Sequence, residues 1–102
     1  MMNRSVRAKV HWVPPEKGGR MALPTGKRYA TVSCFKEDAA LGSEEAWSIV
    51  LEFDEPPAKQ GNPSLAWARF LVDTAPADRL QPGFAFDLYE GAKRVASVEI
   101  IE

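Results

Sequence analysis

The chain has 102 residues, with 13 Lys and Arg against 14 Asp and Glu and a formal charge of −1 at pH 7. We expect one compact domain over 1–102, burying about two thirds of its unfolded surface. Its 45% hydrophobic content argues against disorder, and no apolar run approaches the ~18 residues of a membrane span. Cys34 is the single cysteine and cannot form an internal disulfide, which favours a reducing, cytoplasmic location.

Charge is divided unevenly along the chain. Residues 1–28 carry seven Lys and Arg against one acid, a net +6, whereas residues 29–102 carry six bases against 13 acids, a net −7. Two interpretations are open. The basic segment faces an anionic partner, or basic and acidic strands lie side by side and compensate each other.

Alternating apolar and polar residues predict six short strands and no long helix. The first strand, 5–13, has an apolar face of Val6, Ala8, Val10 and Trp12 and a polar face of Arg7, Lys9 and His11. The others are predicted at 29–35, 47–53, 64–72, 84–90 and 93–101. The fourth is apolar on both sides, which predicts that both of its faces are covered.

The connections between these strands differ in length. The segment Pro14–Arg28 is longer than a usual connection, so it is either functional or a loop packed on itself. Polar residues 36–45 follow the second strand, 76–80 could form one helical turn, and Gly91-Ala92 predicts a tight hairpin.

Six strands without crossover helices predict an all-β fold, a closed six-stranded antiparallel barrel, because closure hides strand edges that would otherwise invite aggregation. The large apolar residues on alternating faces are expected inside the barrel or packed tightly around it. They are Trp12, Trp47, Leu51, Phe53, Trp67, Phe70, Phe86 and Val95.

Three segments resemble, in order, the C-terminal β-barrel of the elongation factor Tu family. The first is Val6-Arg-Ala-Lys-Val-His-Trp-Val followed by Glu16-Lys-Gly-Gly-Arg20, similar to the family's opening strand and its Glu-x-Gly-Gly-Arg loop. The second is Pro24-Thr-Gly-Lys-Arg-Tyr29. The third, Leu80-Gln-Pro-Gly-Phe-Ala-Phe-Asp-Leu-Tyr-Glu-Gly-Ala-Lys-Arg-Val95, is similar to the family's closing hairpin.

This resemblance implies a six-stranded barrel that performs no chemistry. In the family the barrel is the third domain of a GTPase, where it helps hold aminoacyl-tRNA and contacts protein partners. The present sequence has no Gly-x-x-x-x-Gly-Lys-Ser/Thr phosphate loop, so we expect no GTP binding by this chain. The glycines that follow the hairpin turn in the family are replaced here by Ala, Ser or Val.

Residues for catalysis or metal binding are few. His11 is the only histidine and Cys34 the only cysteine, too few for the usual four-ligand zinc site, and no Gly-x-Ser-x-Gly nucleophile motif occurs. His11 is expected to be a solvated strand residue and Cys34 a small buried one. We therefore predict no enzymatic activity, cofactor or metal.

The basic residues near the N-terminus are the candidate binding residues. They are Arg7, Lys9 and His11 on the first strand and Arg20, Lys27 and Arg28 on the long loop. The first hypothesis is a non-catalytic module that docks on a protein partner through this loop and the surface beside it. The alternative is binding of tRNA or another structured RNA, which salt would weaken steeply. Because all three Trp lie on apolar faces, the sequence offers RNA no evident stacking platform.

Overall fold

The computed structural model describes residues 5–35, 47–71 and 80–101. They form six strands, Val6–Trp12 (β1), Arg28–Phe35 (β2), Trp47–Phe53 (β3), Ser64–Phe70 (β4), Ala85–Glu90 (β5) and Lys93–Ile100 (β6). The connections contain a 3-10 turn, Pro15–Lys17, and one short helix, Pro57–Gln60 (α1). Three parts of the prediction lie outside the described residues: the end of the fourth strand at Val72, the polar connection 36–45 and most of the helical turn at 76–80.

The six strands close into an antiparallel barrel in the ring order β1-β4-β3-β2-β5-β6, which confirms the predicted architecture. The β5–β6 hairpin turns at Gly91, whose positive φ of 64° suits glycine, as predicted. The ladders are unequal. Four residue pairs join β2 to β5, whereas five or six join every other pair of neighbouring strands.

Inward side chains of all six strands fill the barrel. Phe70, Phe86, Ile49, Leu51 and Leu88 are its largest fully buried members, and small residues lie between them. Most of the predicted core is confirmed: Trp12, Leu51, Phe53, Phe70, Phe86 and Val95 are buried, and Trp47 packs against the core while half-buried. Two buried hydroxyls are also satisfied, because Ser33 donates to the Trp47 carbonyl and Ser64 to the Gly61 carbonyl.

Two predictions about burial are wrong. Strand β4 is not covered on both faces, because Ala66, Ala68 and Phe70 face the interior while Trp67 is 48% exposed and Leu71 is 50% exposed. The narrow interior accepts the small alanines and leaves the larger Trp67 outside. Cys34 is only partly buried rather than fully buried, because Ser33 takes the inward position beside it.

The long loop packs against one end of the barrel rather than on itself alone. Leu23 and Tyr29 pack against the core at this end, where Trp12 and Phe53 also lie. The loop is held on both sides: Ala58 of α1 donates to the carbonyl of Pro24, and Phe53 donates to the carbonyl of Lys27. The loop is therefore a cap on the barrel.

Side-chain amides complete the sheet where strands end at different levels. The backbone N–H and carbonyl of Trp12 point past the end of β4 and bond the side-chain amide of Asn62, at 2.9 and 3.0 Å. Gln60 similarly accepts from the N–H of Leu65 at 2.8 Å and donates to its carbonyl at 3.0 Å. These amides replace the missing strand partners, so the backbone groups beside them stay paired.

Gly19 allows the first turn of the loop to fold back on β1. A Cβ at this position would lie 1.8 Å from the carbonyl oxygen of Val13, a backbone atom that cannot move aside. We expect Gly19→Ala to lower the free energy of unfolding by about 1–3 kcal/mol, as overpacking does. The matched control is Gly26→Ala, because nothing lies within 4 Å of a Cβ there. Urea denaturation of both variants tests this, and equal midpoints would contradict the close approach.

Candidate functional site

The six candidate basic residues do not form one patch. Arg7, Lys9 and His11 lie on the outer face of β1, whereas Lys27 and Arg28 lie at the start of β2. The ring order places two strands between β1 and β2 in either direction, so these strands lie on opposite sides of the barrel. The two groups are therefore divided between strands that are not neighbours.

Acidic residues on other strands compensate much of the basic charge, as the second interpretation of the charge division expects. Within the basic segment 1–28, Arg7 is ion-paired with Asp54, which follows β3, and Arg20 is ion-paired with Glu90 of β5. Lys9 faces Glu99 across the β1–β6 ladder, and Arg28 faces Glu52 across the β2–β3 ladder.

Arg20 holds the loop to the barrel. Its guanidinium is ion-paired with the Glu90 carboxylate at the end of β5 and lies 5.6 Å from the centre of the Tyr29 ring. The Tyr29 hydroxyl donates to the same carboxylate, and Arg20 Nε donates to the Ala22 carbonyl at 3.0 Å. We call Arg20, Tyr29 and Glu90 the Arg20 latch. Its arginine holds the loop to the barrel and has an ion-pair partner within the fold.

The latch shifts the pKa of each acid within it. Burial and the hydrogen bond to Glu90 raise the pKa of Tyr29 to about 12. Burial also acts to raise the pKa of Glu90, but the hydrogen bonds from Tyr29 and Arg20 together outweigh it, so the pKa of that carboxyl lies below its usual range. Both shifts favour the state in which Tyr29 is neutral and Glu90 is charged.

The outer face of β4 is the most apolar exposed part of the described sheet. Its outward side chains are Leu65, Trp67 and Arg69, and Leu71 follows directly after the strand; half of the surfaces of Trp67 and Leu71 are open to solvent. We call these four residues, with their neighbours Arg7, Glu52 and Asp54, the Trp67 surface. The strand register places Trp67 in one row between Arg7 of β1 and Glu52 of β3.

The ring of Trp67 is held in place by an ion pair that crosses it. The Arg7 guanidinium lies 4.9 Å from the ring centre and makes a two-pronged ion pair with Asp54, which follows β3. The hydrogen bonds from Arg7 hold the pKa of Asp54 below its usual value. A bidentate pair fixes both geometry and charge, so one face of the indole is covered and its position is restricted.

Sequence reasoning identified Arg7 but missed Trp67. The strand alternation gives Trp67 and Leu71 the same side of β4, and Arg69 lies on that side too. Two signals could have separated the faces, and the first is that this charged residue marks the outer one. The second is that the face with Ala66 and Ala68 fits the interior of a small barrel, and the face with the larger Leu65 and Trp67 fits its outside.

The described residues hold no group of three or more His, Cys, Asp or Glu placed to bind a metal ion. Among those same residues, no helix has the length and apolarity needed to cross a membrane.

The chain matches no protein-family model, and a search of curated proteins finds no significant relative. The likeness to the elongation factor Tu barrel therefore stays a prediction from the sequence.

The raised pKa of Tyr29 has a consequence for alkaline stability. The folded state keeps the phenolic proton to a higher pH than the unfolded state does, so this contribution is complete below about pH 10 and is lost as the pH rises towards about 12. The difference in phenolate absorbance between wild type and Tyr29→Phe should report a titration near 12. Glu90→Gln should lower that value in part, since burial remains. A Tyr29 titration near 10 would contradict the latch.

Asp54 has the opposite dependence, in acid. Its folded pKa is lowered, so its contribution is present above the ordinary pKa of about 3.9 and is lost as the pH falls through the folded value. We expect Asp54→Asn to cost less than about 1 kcal/mol at pH 7, because the pair is exposed to solvent, and almost nothing at strongly acidic pH. Glu55→Gln, an exposed neighbour, is the control. An equal cost at both pH values would contradict the ion pair.

Proposed function

We propose that this protein is a non-catalytic binding module that docks on a protein partner, with the Trp67 surface as its contact site. The observation that carries the proposal is the exposure of Trp67 and Leu71 on a barrel wall whose other described outward residues are mostly polar or small. Trp and Arg dominate the energetically important residues of protein interfaces, and here they are in contact before any partner arrives. A side chain already held in place loses less entropy on binding.

The charges around Trp67 favour a protein over RNA. Each arginine of the surface has an acidic neighbour, Asp54 for Arg7 and Glu52 for Arg69. Binding to a phosphate backbone depends on cations that release counterions, and compensated cations contribute little to it. A surface with an apolar centre and balanced charges around it fits a protein partner of mixed charge.

RNA binding remains a second candidate because of one observation. Trp67 is an exposed aromatic ring on which a base could stack, with an arginine on its covered face. The wide separation of Arg7, Lys9 and His11 from Lys27 and Arg28 weighs against it. In the long loop, the contact first expected from the sequence, Arg20 is ion-paired with Glu90, while Lys17, Lys27, Arg28 and Met21 are exposed, Met21 at 84%.

The resemblance to the elongation factor Tu barrel supports the same proposal. In that family the barrel makes contacts with protein and tRNA and carries out no reaction. We propose that the present chain uses a barrel of this type in the same general way, in the cytoplasm, with a contact surface of its own.

Affinity capture from the native host tests the proposal, with bound protein and bound RNA measured together. We expect Trp67→Ala to weaken capture of a specific protein about 30-fold, as loss of roughly 2 kcal/mol at an interface does. Met21→Ala is the matched control, since it removes another exposed apolar side chain, and it should capture normally. Urea denaturation of each variant confirms that the barrel is folded.

Three outcomes would count against this proposal. Equal capture by wild type and Trp67→Ala would exclude the Trp67 surface. Loss with Met21→Ala alone would make the loop the interface. RNA captured in place of protein, with affinity falling steeply as salt rises, would favour the second candidate.

A further inference from the structure

Strand β2 has an edge whose backbone groups lack strand partners within the described residues. Its ladder with β3 runs from Arg28 to Ser33, but its ladder with β5 begins only at Val32, which pairs with Tyr89. The side of β2 that faces β5 is therefore unmatched over Arg28–Thr31. We call the backbone of Arg28 and Ala30 on that side the β2 edge.

The hydrogen-bond pattern identifies which groups are exposed there. Phe53 donates to the carbonyl of Lys27, so Lys27, Tyr29 and Thr31 direct their backbone groups towards β3. In an antiparallel strand the backbone groups of successive residues point to opposite sides. The N–H and carbonyl of Arg28 and Ala30 therefore point away from β3, to the side on which β5 pairs with β2 further along the strand. Neither residue has a ladder pair on β5, and none of the four groups bonds a loop or a side chain in the described part of the chain.

A β-bulge lies at the point where β5 stops pairing with β2. The β5–β6 register shifts between Leu88 and Tyr89, where Val95 is the extra residue of β6. Bulges bend and twist a strand pair, and this one falls where β5 stops pairing with β2. The last contact across the seam is made by a side chain, because the Thr31 hydroxyl donates to the carbonyl of Tyr89.

Comparable strand ends in this barrel are closed by the chain itself. Asn62 pairs with Trp12, and Gln60 pairs with Leu65, each through a side-chain amide. No such side chain serves Ala30, whose own small methyl group is exposed and leaves the strand accessible. An edge of this kind is a template for pairing with another strand.

The charge beside the edge selects the partner. Lys27 and Arg28 are exposed at its start, and Lys93 is exposed across the seam at the start of β6. The nearby acid, Glu90, is already bonded to Arg20 and Tyr29. Arg28 faces Glu52 across the β2–β3 ladder and Lys93 faces Glu90 across the β5–β6 ladder, but neither is in an ion pair within the described residues. The three cations, with Arg20, outnumber these two acids, so they favour a segment that carries acidic side chains.

We propose that the β2 edge is a strand-addition site for an extended, acidic segment of a partner protein. The added segment would pair its backbone with Arg28 and Ala30 and place carboxylates near Lys27, Arg28 and Lys93. In strand addition, backbone hydrogen bonds supply affinity and the flanking side chains supply specificity. The site adjoins the Trp67 surface, because Arg28 faces Glu52 across the β2–β3 ladder, but its backbone groups are on the other side of β2.

Hydrogen exchange of the wild-type protein tests the geometry without any partner. The amides of Tyr29 and Thr31 donate to β3 and should be protected, while those of Arg28 and Ala30 should exchange at least about tenfold faster. Protection of the Ala30 amide in the isolated protein would show that the edge is already paired and would overturn the proposal.

Binding is tested with a short synthetic peptide of alternating Glu and Val, followed by the amide resonances of Arg28 and Ala30. We expect binding that slows exchange of the Ala30 amide, and no binding of the same peptide with Lys in place of Glu. Methylation of the peptide's pairing backbone nitrogens should weaken binding at least about tenfold. Lys27→Glu with Arg28→Glu should weaken it about tenfold, since two exposed charge contacts together contribute roughly 1.4 kcal/mol.

Two variants complete the test. Ala30→Pro removes the unpaired N–H at a position where an edge strand tolerates proline, and it should abolish peptide binding. If Ala30→Pro fails to fold, the methylated peptide decides alone. Trp67→Ala should bind the peptide normally. No binding of the acidic peptide, binding unaffected by methylation, or loss of binding with Trp67→Ala would each overturn the proposal.

Discussion

The need to pair every backbone N–H and carbonyl at staggered strand ends governs this small barrel. Six strands of six to eight residues close into a ring but do not end at one level. Where one strand continues past the end of its neighbour, its backbone N–H and carbonyl groups on that side have no strand partner. Such unpaired groups are costly when they are buried. Asn62 and Gln60 meet that requirement beside β4, and the Lys27 carbonyl extends the β2–β3 ladder by one bond.

The same constraint explains why the loop is long. It must cross the barrel end from β1 to β2, which lie on opposite sides of the ring. On the way it covers the apolar end of the core with Leu23, and the side chains of the Arg20 latch link the loop to the end of β5 and to Tyr29 of β2. Residues that resemble a basic binding loop in the sequence are thereby divided, since Arg20 holds the fold together and Lys27 and Arg28 stay exposed.

The two proposed contact surfaces would recognise different chemistry. The Trp67 surface presents side chains, an indole held by the Arg7–Asp54 pair with apolar neighbours on β4. The β2 edge presents backbone groups and cations. They lie two strands apart on the barrel wall, with β3 between β4 and β2, so one partner with a folded part and an extended segment could reach both.

The alternation of apolar and polar residues determined the six strands, their approximate bounds and the β5–β6 hairpin, because side chains of a strand alternate between its faces. It also separated Val10 and Trp12 from Arg7 and Lys9 on β1. On β4 the alternation is weak, because Arg69 is the one charge on an otherwise apolar strand, and the volume left inside a six-stranded ring decides that the face with Ala66 and Ala68 is buried. The alternation also could not predict that Arg20 pairs with Glu90 or that Ala30 has no pair on β5. Those facts depend on the ring order and on where each strand ends, which are settled only when all six strands pack together.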